Sequence, residues 1–168
     1  MPTTDPNWEQ RVSDLWASFD DRTETDFLAG MKELVAELPA NHAAAVFEHA
    51  AALDSTGNSD LAVPLYQQAL QLGLPGARRR RAVIQLASSL RNLDRAPESV
   101  ALLTAELDAE SDDLDDAVRA FLALALVDTG REREAVALAL TALSGHLTRY
   151  QRSLINYARE LVDGSTPS

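Results

Sequence analysis

The chain has 168 residues with 15 basic and 26 acidic side chains, a formal net charge of −11 at pH 7, and no cysteine. That length carries one domain with a substantial core, the missing thiols exclude a disulfide framework and thiolate chemistry, and the acidic balance argues against nucleic acid as the main partner. No apolar run approaches the ~18 residues of a membrane span and no basic-then-apolar start marks a signal peptide, so a soluble cytoplasmic protein is expected.

Residues 1–6 read as a disordered leader. Trp8, Val12, Leu15, Trp16 and Phe19 recur at i, i+4, i+7, i+8 and i+11, which predicts an amphipathic helix. Asp20, Asp21 and Arg22 make a turn, and Thr23 with Asp26 resembles a capping box with Asp in place of Glu. Phe27, Leu28, Met31, Leu34, Val35 and Leu38 form the next stripe, stopped at Pro39. Together residues 7–39 predict a helical hairpin.

Residues 43–76 hold the clearest unit. Val46, Ala50 and Leu53 share one helical face. A breaker cluster over residues 55–59 comes next, with Gly57 suited to positive φ after a helix end. Ser59 or Asp60 is placed to cap the next helix, whose stripe is Leu61, Leu65, Tyr66, Ala69 and Leu72. Pro64 lies about one turn inside that helix and removes a backbone hydrogen bond there.

The pattern recurs over residues 80–110 and 116–145. Leu86, Ala87, Leu90 and Leu93 repeat the first stripe, Asp94 stands in the glycine's place, and Pro97 falls near a first helical position. Ser99, Leu103 and Glu106 repeat Ala62, Tyr66 and Ala69. Leu122, Ala123, Leu126, Gly130, Ala135, Ala139 and Ala142 keep the spacing again, so that Leu53, Leu90 and Leu126 stand 37 and 36 residues apart. A last helix over 147–163 has Leu147, Tyr150, Leu154, Tyr157 and Leu161 on one face and Arg149, Arg152, Arg159 and Glu160 on the other. Gly164 ends it, and residues 164–168 form a frayed tail. Hydrophobic residues are 46% of the chain and aromatics only 5%. Alanine and leucine must then fill the core, which suits close-packed helices better than a sheet.

The spacing Ala50-x2-Leu53, Gly57, Ala62-x3-Tyr66-x2-Ala69 and Pro75 resembles the tetratricopeptide repeat, a helix–turn–helix unit of about 34 residues. Val46 stands where that family usually has Trp, and His49 where it has an apolar residue. The resemblance implies an all-α, right-handed superhelical array of antiparallel helix pairs over residues 7–163, with the last helix as a cap. The hairpin over 7–39 is either a degenerate first repeat, with Ala17 and Ala29 in the places of Ala50 and Ala62, or an appended plug. The resemblance is to a small stand-alone bacterial-type member of that family, and the scarcity of lysine, Lys32 alone among 15 basic residues, points to a GC-rich genome.

No catalytic constellation stands out. His42, His49 and His146 lack a third ligand at metal-site spacing, and GxSxG, HExxH, GxGxxG and a Gly-rich phosphate loop are all missing. His49 lies on the core stripe and reads as a core histidine. No cofactor or metal is expected, and no enzyme activity.

Arg78, Arg79, Arg80 and Arg81 stand at a predicted helix N-terminus, the end whose dipole favours anions. One reading is capture of nucleic acid or an acidic peptide. The favoured one uses the repeat offset, which places Asp112, Asp113, Asp115 and Asp116 opposite the run in the next repeat.

The resemblance further implies that the first helix of each repeat lines a groove for a peptide or helix. The positions are Ala44, Phe47, Ala51 and Asp54, then Arg81, Ile84, Ser88 and Arg91, then Ala117, Ala120, Leu124 and Val127. Some relatives clamp a C-terminal carboxylate there, but Phe47, Ala51, Gln85, Ala117 and Phe121 occupy those places, so that clamp is missing. Phe47, Arg81, Ile84, Ser88, Arg91 and Leu124 are therefore the candidate contacts for a protein or peptide segment of apolar, acidic character. Arg91, away from the aspartates, is expected to keep a free charge. The function expected is that of an adaptor or small regulatory protein. The other readings are a self-associating structural protein, a homodimer included, and last an enzyme or nucleic-acid binder.

Overall fold

The helices begin and end where local chemistry allows. In the computed structural model, which describes residues 4–109 and 111–164, the regular elements are α1 (Pro6–Ala17), a 3-10 turn (Phe19–Asp21), α2 (Glu24–Ala36), α3 (Ala43–Ser55), α4 (Ser59–Gln71), α5 (Gly76–Asn92), α6 (Ala96–Leu107), α7 (Asp115–Val127), α8 (Glu132–Ser144) and α9 (Gln151–Asp163). Among the described residues there is no strand. The all-α helical-repeat fold is as expected from the 36- to 37-residue recurrence.

The repeat signature is clearest at the helix ends. After α3, the Asn58 amide donates to the Leu53 carbonyl at 2.9 Å and the Gly57 amide to Asp54 at 3.0 Å. The same pair of bonds closes α5, from Arg95 to Leu90 and from Asp94 to Arg91, and α7, from Arg131 to Leu126 and from Gly130 to Val127. This is the Schellman arrangement, which requires a left-handed residue at the second position. Gly57 and Gly130 supply it with φ of 79° and 74°, and Asp94 supplies it with φ of 58°. Asp94 thus takes the glycine's place, as its position in the repeat predicts; Asp tolerates this region better than most side chains.

Contacts divide the chain into two compact units, one through Ser89 and one from Leu90. In the first, α1 packs on α2, α2 on α3, and α3 on α4. Trp8, Val12, Leu15, Phe27, Met31 and Leu34 form a buried cluster with Ala44 and Ala52 of α3. Phe19 meets Phe27 edge-on at 4.7 Å between centroids, and Trp16 lies 4.9 Å from the same ring. The Trp8 indole N–H donates to the Leu34 carbonyl at 2.8 Å, a second bond to an acceptor that the Glu37 amide reaches at 3.3 Å in the last turn of α2.

Several local expectations change. Asp5 caps α1 by accepting from the Asn7 amide at 3.0 Å, and Pro6 is the first helical residue. Asp5 and Pro6, expected in the leader, thus belong to the start of α1, the Thr4 hydroxyl donates to Glu9, and residues 1–3 lie outside the described residues. Ala17 and Ala29 are exposed whereas Ala50 and Ala62 are buried, so the hairpin does not share the small-residue register of the later repeats. Its close approach is at Gly30, where an added Cβ would lie 3.2 Å from Leu15 Cδ1. Thr23 accepts from the Asp26 amide at 3.1 Å as a cap should. Ser59 does not cap α4, because its hydroxyl donates to Asp54 instead. Pro64 sits inside α4 on its exposed side, where water can reach the carbonyl it leaves unpaired.

In the second unit α6 packs on α7, α7 on α8, and α8 on α9. Leu90, Leu103, Val118, Leu122, Ala125 and Leu126 are buried, as their spacing predicts for Leu90, Leu103, Leu122 and Leu126. Ala139, expected at the repeat core, is exposed, and Ala142 is half-buried. The last helix starts at Gln151 rather than Leu147, because Tyr150 takes a left-handed φ of 67°. Its packed face is Leu154, Ile155, Ala158 and Leu161, while Tyr150 and Tyr157 are exposed. The expected stripe is therefore rotated by about one residue. Gly164, with φ of 65°, ends the helix, and residues 165–168 lie outside the described residues.

Candidate interaction surface

Phe47 lies on α3, and its ring is 0% exposed. It sits 6.2 Å from the Tyr66 ring, with the Arg81 guanidinium 5.3 Å above its centroid. Ile84 on α5 is buried too. The groove positions assign both to a partner; both are core residues instead. Small neighbours are the reason: Ala44, Ala50 and Ala51 are all buried around Phe47 on α3, which lets adjoining elements close over the ring. Arg81 is exposed and Ser88 half-buried.

Asp54, another expected groove position, is engaged as well. Its Oδ1 accepts from the Ser59 hydroxyl at 2.9 Å and the Ser89 hydroxyl at 2.8 Å, and its Oδ2 from the Tyr66 hydroxyl at 3.4 Å. This carboxylate ties α3, α4 and α5 together. Burial, and then the neighbouring Asp54 charge, push the Tyr66 phenol far above its ordinary value, so the hydroxyl stays a donor. His49 is half-buried, and burial holds it below its usual value, with the Lys32 charge acting in the same direction.

Arg78 is the hub of the first unit's charges. Its Nε lies 3.0 Å from Glu48 Oε1, and its two terminal nitrogens lie 2.8 and 2.5 Å from the Glu9 oxygens. The guanidinium also stands 5.9 Å from the Trp8 ring centroid. Glu48 is only 2% exposed and accepts a second bond from the Trp16 indole at 2.9 Å. So Arg78 pairs with glutamates of α1 and α3. Nothing in the repeat offset could show this, since α1 lies outside the repeated pattern. Within the second unit, Asp116 meets Arg119 at 2.8 Å and His146 at 3.0 Å.

Removing Arg78 would leave the Glu48 carboxylate buried without the guanidinium that pairs with it. Breaking a buried pair costs about 3–5 kcal/mol; Arg78 and Glu9 are partly exposed, and solvent screening reduces the figure to about 2–3 kcal/mol. The Arg78→Ala variant should therefore melt well below the wild type. The bond from Arg78 holds the Glu9 carboxyl below its ordinary 4.5. A depressed carboxylate contributes stability above its unfolded value and loses it as pH falls through the folded one. Melts recorded on both sides of that range should show the gap between variant and wild type narrowing in acid; a gap that widens there would contradict this assignment.

In the second unit, Arg91 is not free. Its Nε stands 2.5 Å from Asp128 Oδ2, close but poorly aligned for a hydrogen bond. Asp128 is 37 residues beyond Arg91, so the repeat offset itself could have found this pair. The two side chains wall an open polar cleft of about 620 Å³, lined also by Asn92, Asp94, Ala96, Pro97 and Thr129. Leu124 is 47% exposed and Val127 48%, on the same side of α7 as exposed Ala120. Of the large apolar side chains assigned to a partner, Leu124 and Val127 are therefore the ones that reach solvent.

No group of three metal-ligating side chains converges among the described residues, and none of their helices is long and apolar enough to cross a membrane. Paired antiparallel helices closed by a recurring left-handed turn define a helical-repeat protein. The tetratricopeptide-repeat family, described as "Tetratrico peptide repeat", matches residues 43–161, and the chain belongs to it. The match begins at α3 and leaves α1 and α2 outside. Two solved structures share the fold, both of a Podosopora anserina protein designated a candidate kinesin light chain with nearly identical TPR-like repeats. One, a point variant of that protein, has 18% identity and a TM-score of 0.68, covering 94% of this chain and 87% of that one. The other has 17% identity and a TM-score of 0.66, covering 96% and 98%. No curated protein matches the chain. Members of the family are generally non-catalytic protein–protein interaction modules.

Proposed function

We propose that this protein is a cytoplasmic adaptor that captures an apolar protein segment on the exposed face of α7. The observation that carries the reading is the half exposure of Leu124 and Val127 on a helix whose Val118, Leu122 and Leu126 are buried and whose Phe121 is half-buried. Ala120, Leu124 and Val127 recur at i, i+4 and i+7, and the small side chain of Ala120 lets a partner's backbone approach. Arg91, the expected source of acidic preference, is neutralised by Asp128, so apolar character outweighs acidic character in the segment sought. The net charge of −11 favours a protein over a nucleic acid, and a cysteine-free chain suits a reducing compartment.

Completing the burial of two half-exposed side chains contributes about 1 kcal/mol each, from ~1.5–3 kcal/mol for a full one. Association costs at least ~4 kcal/mol, so capture on this face should be weak unless the segment reaches further surface. The test is a pull-down from native lysate with wild type and the Leu124→Asp/Val127→Asp double variant, circular dichroism confirming equal helicity. A protein retained by the wild type should be lost by the double variant, and retained by Arg91→Ala. Equal retention by all three would overturn the reading.

A further inference from the structure

In the first two repeats, one face of the second helix is interior. On α4 this face is Val63, Tyr66 and Ala69, all buried. On α6 the matching positions are Val100, Leu103 and Glu106; Leu103 and Glu106 are buried, and α6 packs on α7. Thirty-six residues on, α8 carries Val136, Ala139 and Ala142, with Leu143 next. Val136 is 47% exposed, Leu143 49%, and Ala139 is exposed.

The last helix does not cover them. It packs on α8 against Ala137, Leu138 and Thr141, which share a shallow apolar pocket with Ala158 and Val162, and Arg133 Nε donates to the Leu161 carbonyl at 3.0 Å. Those residues lie on the side of α8 opposite Val136, Ala139, Leu140 and Leu143, which share one stripe at i, i+3, i+4 and i+7. Val136 and Ala139, which match Val63 and Tyr66 of α4, are thus open on α8 with Leu143 beside them, while Leu140 and Ala142 are half-buried.

We propose that a second copy of this chain covers this stripe, α8 against α8 in antiparallel pairing. Two observations select a second copy over a foreign helix. The first is self-complementarity. A two-fold axis between Ala139 and Leu140 sets Val136 against Leu143 of the second copy and Ala139 against its Leu140, large against small at the centre, as an isologous contact requires. The second is charge. The chain carries −11 overall, yet no charged residue stands on the stripe between Val136 and Leu143. The nearest acid on that side, Glu132, is at the helix start, and antiparallel pairing sends the two copies of it to opposite ends. One helix face falls short of the ~800 Å² per partner of a stable complex, so the dimer is weak and concentration-dependent.

This inference is independent of the α7 surface. Sedimentation velocity should show the average mass rising above the 18.2 kDa monomer as concentration increases from micromolar to millimolar, and Leu143→Glu should hold the chain at monomer mass. Because the chain has no cysteine, crosslinking gives a second readout that does not depend on a disruptive variant. Ala139→Cys should form a disulfide-linked dimer under mild oxidation, several-fold faster than Ser153→Cys on the exposed side of α9. A wild type that stays monomeric at every concentration, a dimer untouched by Leu143→Glu, or equal crosslinking of the two cysteine variants would each overturn the proposal.

Discussion

Trp8→Ala should destabilise the first unit by about 3–5 kcal/mol, the range for deleting a buried aromatic side chain. The ring is buried among Val12, Leu15, Phe27, Met31 and Leu34, and its indole holds the Leu34 carbonyl. Arg78 also lies close to the ring, so the variant loosens the seat of the ion pairs to Glu9 and Glu48. Against a total stability of ~5–15 kcal/mol, the loss should appear as a large drop in the urea midpoint. Removal of residues 1–20 should be more severe, because it takes Val12, Leu15 and Trp16 as well. A detachable plug would behave differently: the shortened protein would keep its midpoint and bind partners more tightly. A change below ~1 kcal/mol in Trp8→Ala, against the range for a buried aromatic, would show that α1 is not part of the core.

Leu126→Ala tests the second unit in the same way and should cost about 2–5 kcal/mol. Leu126 is buried on α7, which packs against both α6 and α8, so the vacated volume cannot be filled by movement of one neighbour alone. Its carbonyl also receives the Arg131 amide and the Thr129 hydroxyl at 2.9 Å each. Those bonds survive truncation of the side chain, so the loss should reflect packing rather than a broken turn. An unchanged midpoint would mean that the buried stripe of α7 has been assigned to the wrong residues.

The repeat itself was legible because its determinants are local. Leu53, Leu90 and Leu126 mark three equivalent helices, and Gly57, Asp94 and Gly130 mark three equivalent turns. A helix needs only its own periodicity and end residues to declare itself, and the requirement for a left-handed residue is met within a few positions. The candidate site was less legible. Leu124 is exposed as expected, but Phe47 and Ile84, on equivalent helices, are buried. Periodicity says which residues share a face; it does not say whether that face meets water or another element. The rotation of the expected stripe on the last helix, from Tyr157 to Ala158, has the same origin: its beginning depends on Tyr150 taking a left-handed conformation that no local pattern announces.

Sequence by itself determined the all-α class, the recurring helix pairs, their turns and the buried Leu90 and Leu126, because hydrophobic period and turn chemistry act over a few residues. Tertiary structure decided which charges pair and which apolar faces stay open. Arg78 finds Glu9, 69 residues away in the chain, and Glu48, 30 away; Arg91 finds Asp128. The side of α8 that faces water at Val136 does so because α9 packs on the other side. Such choices follow from the packing of elements distant in sequence, where burial of apolar area and desolvation of charge are settled jointly rather than residue by residue.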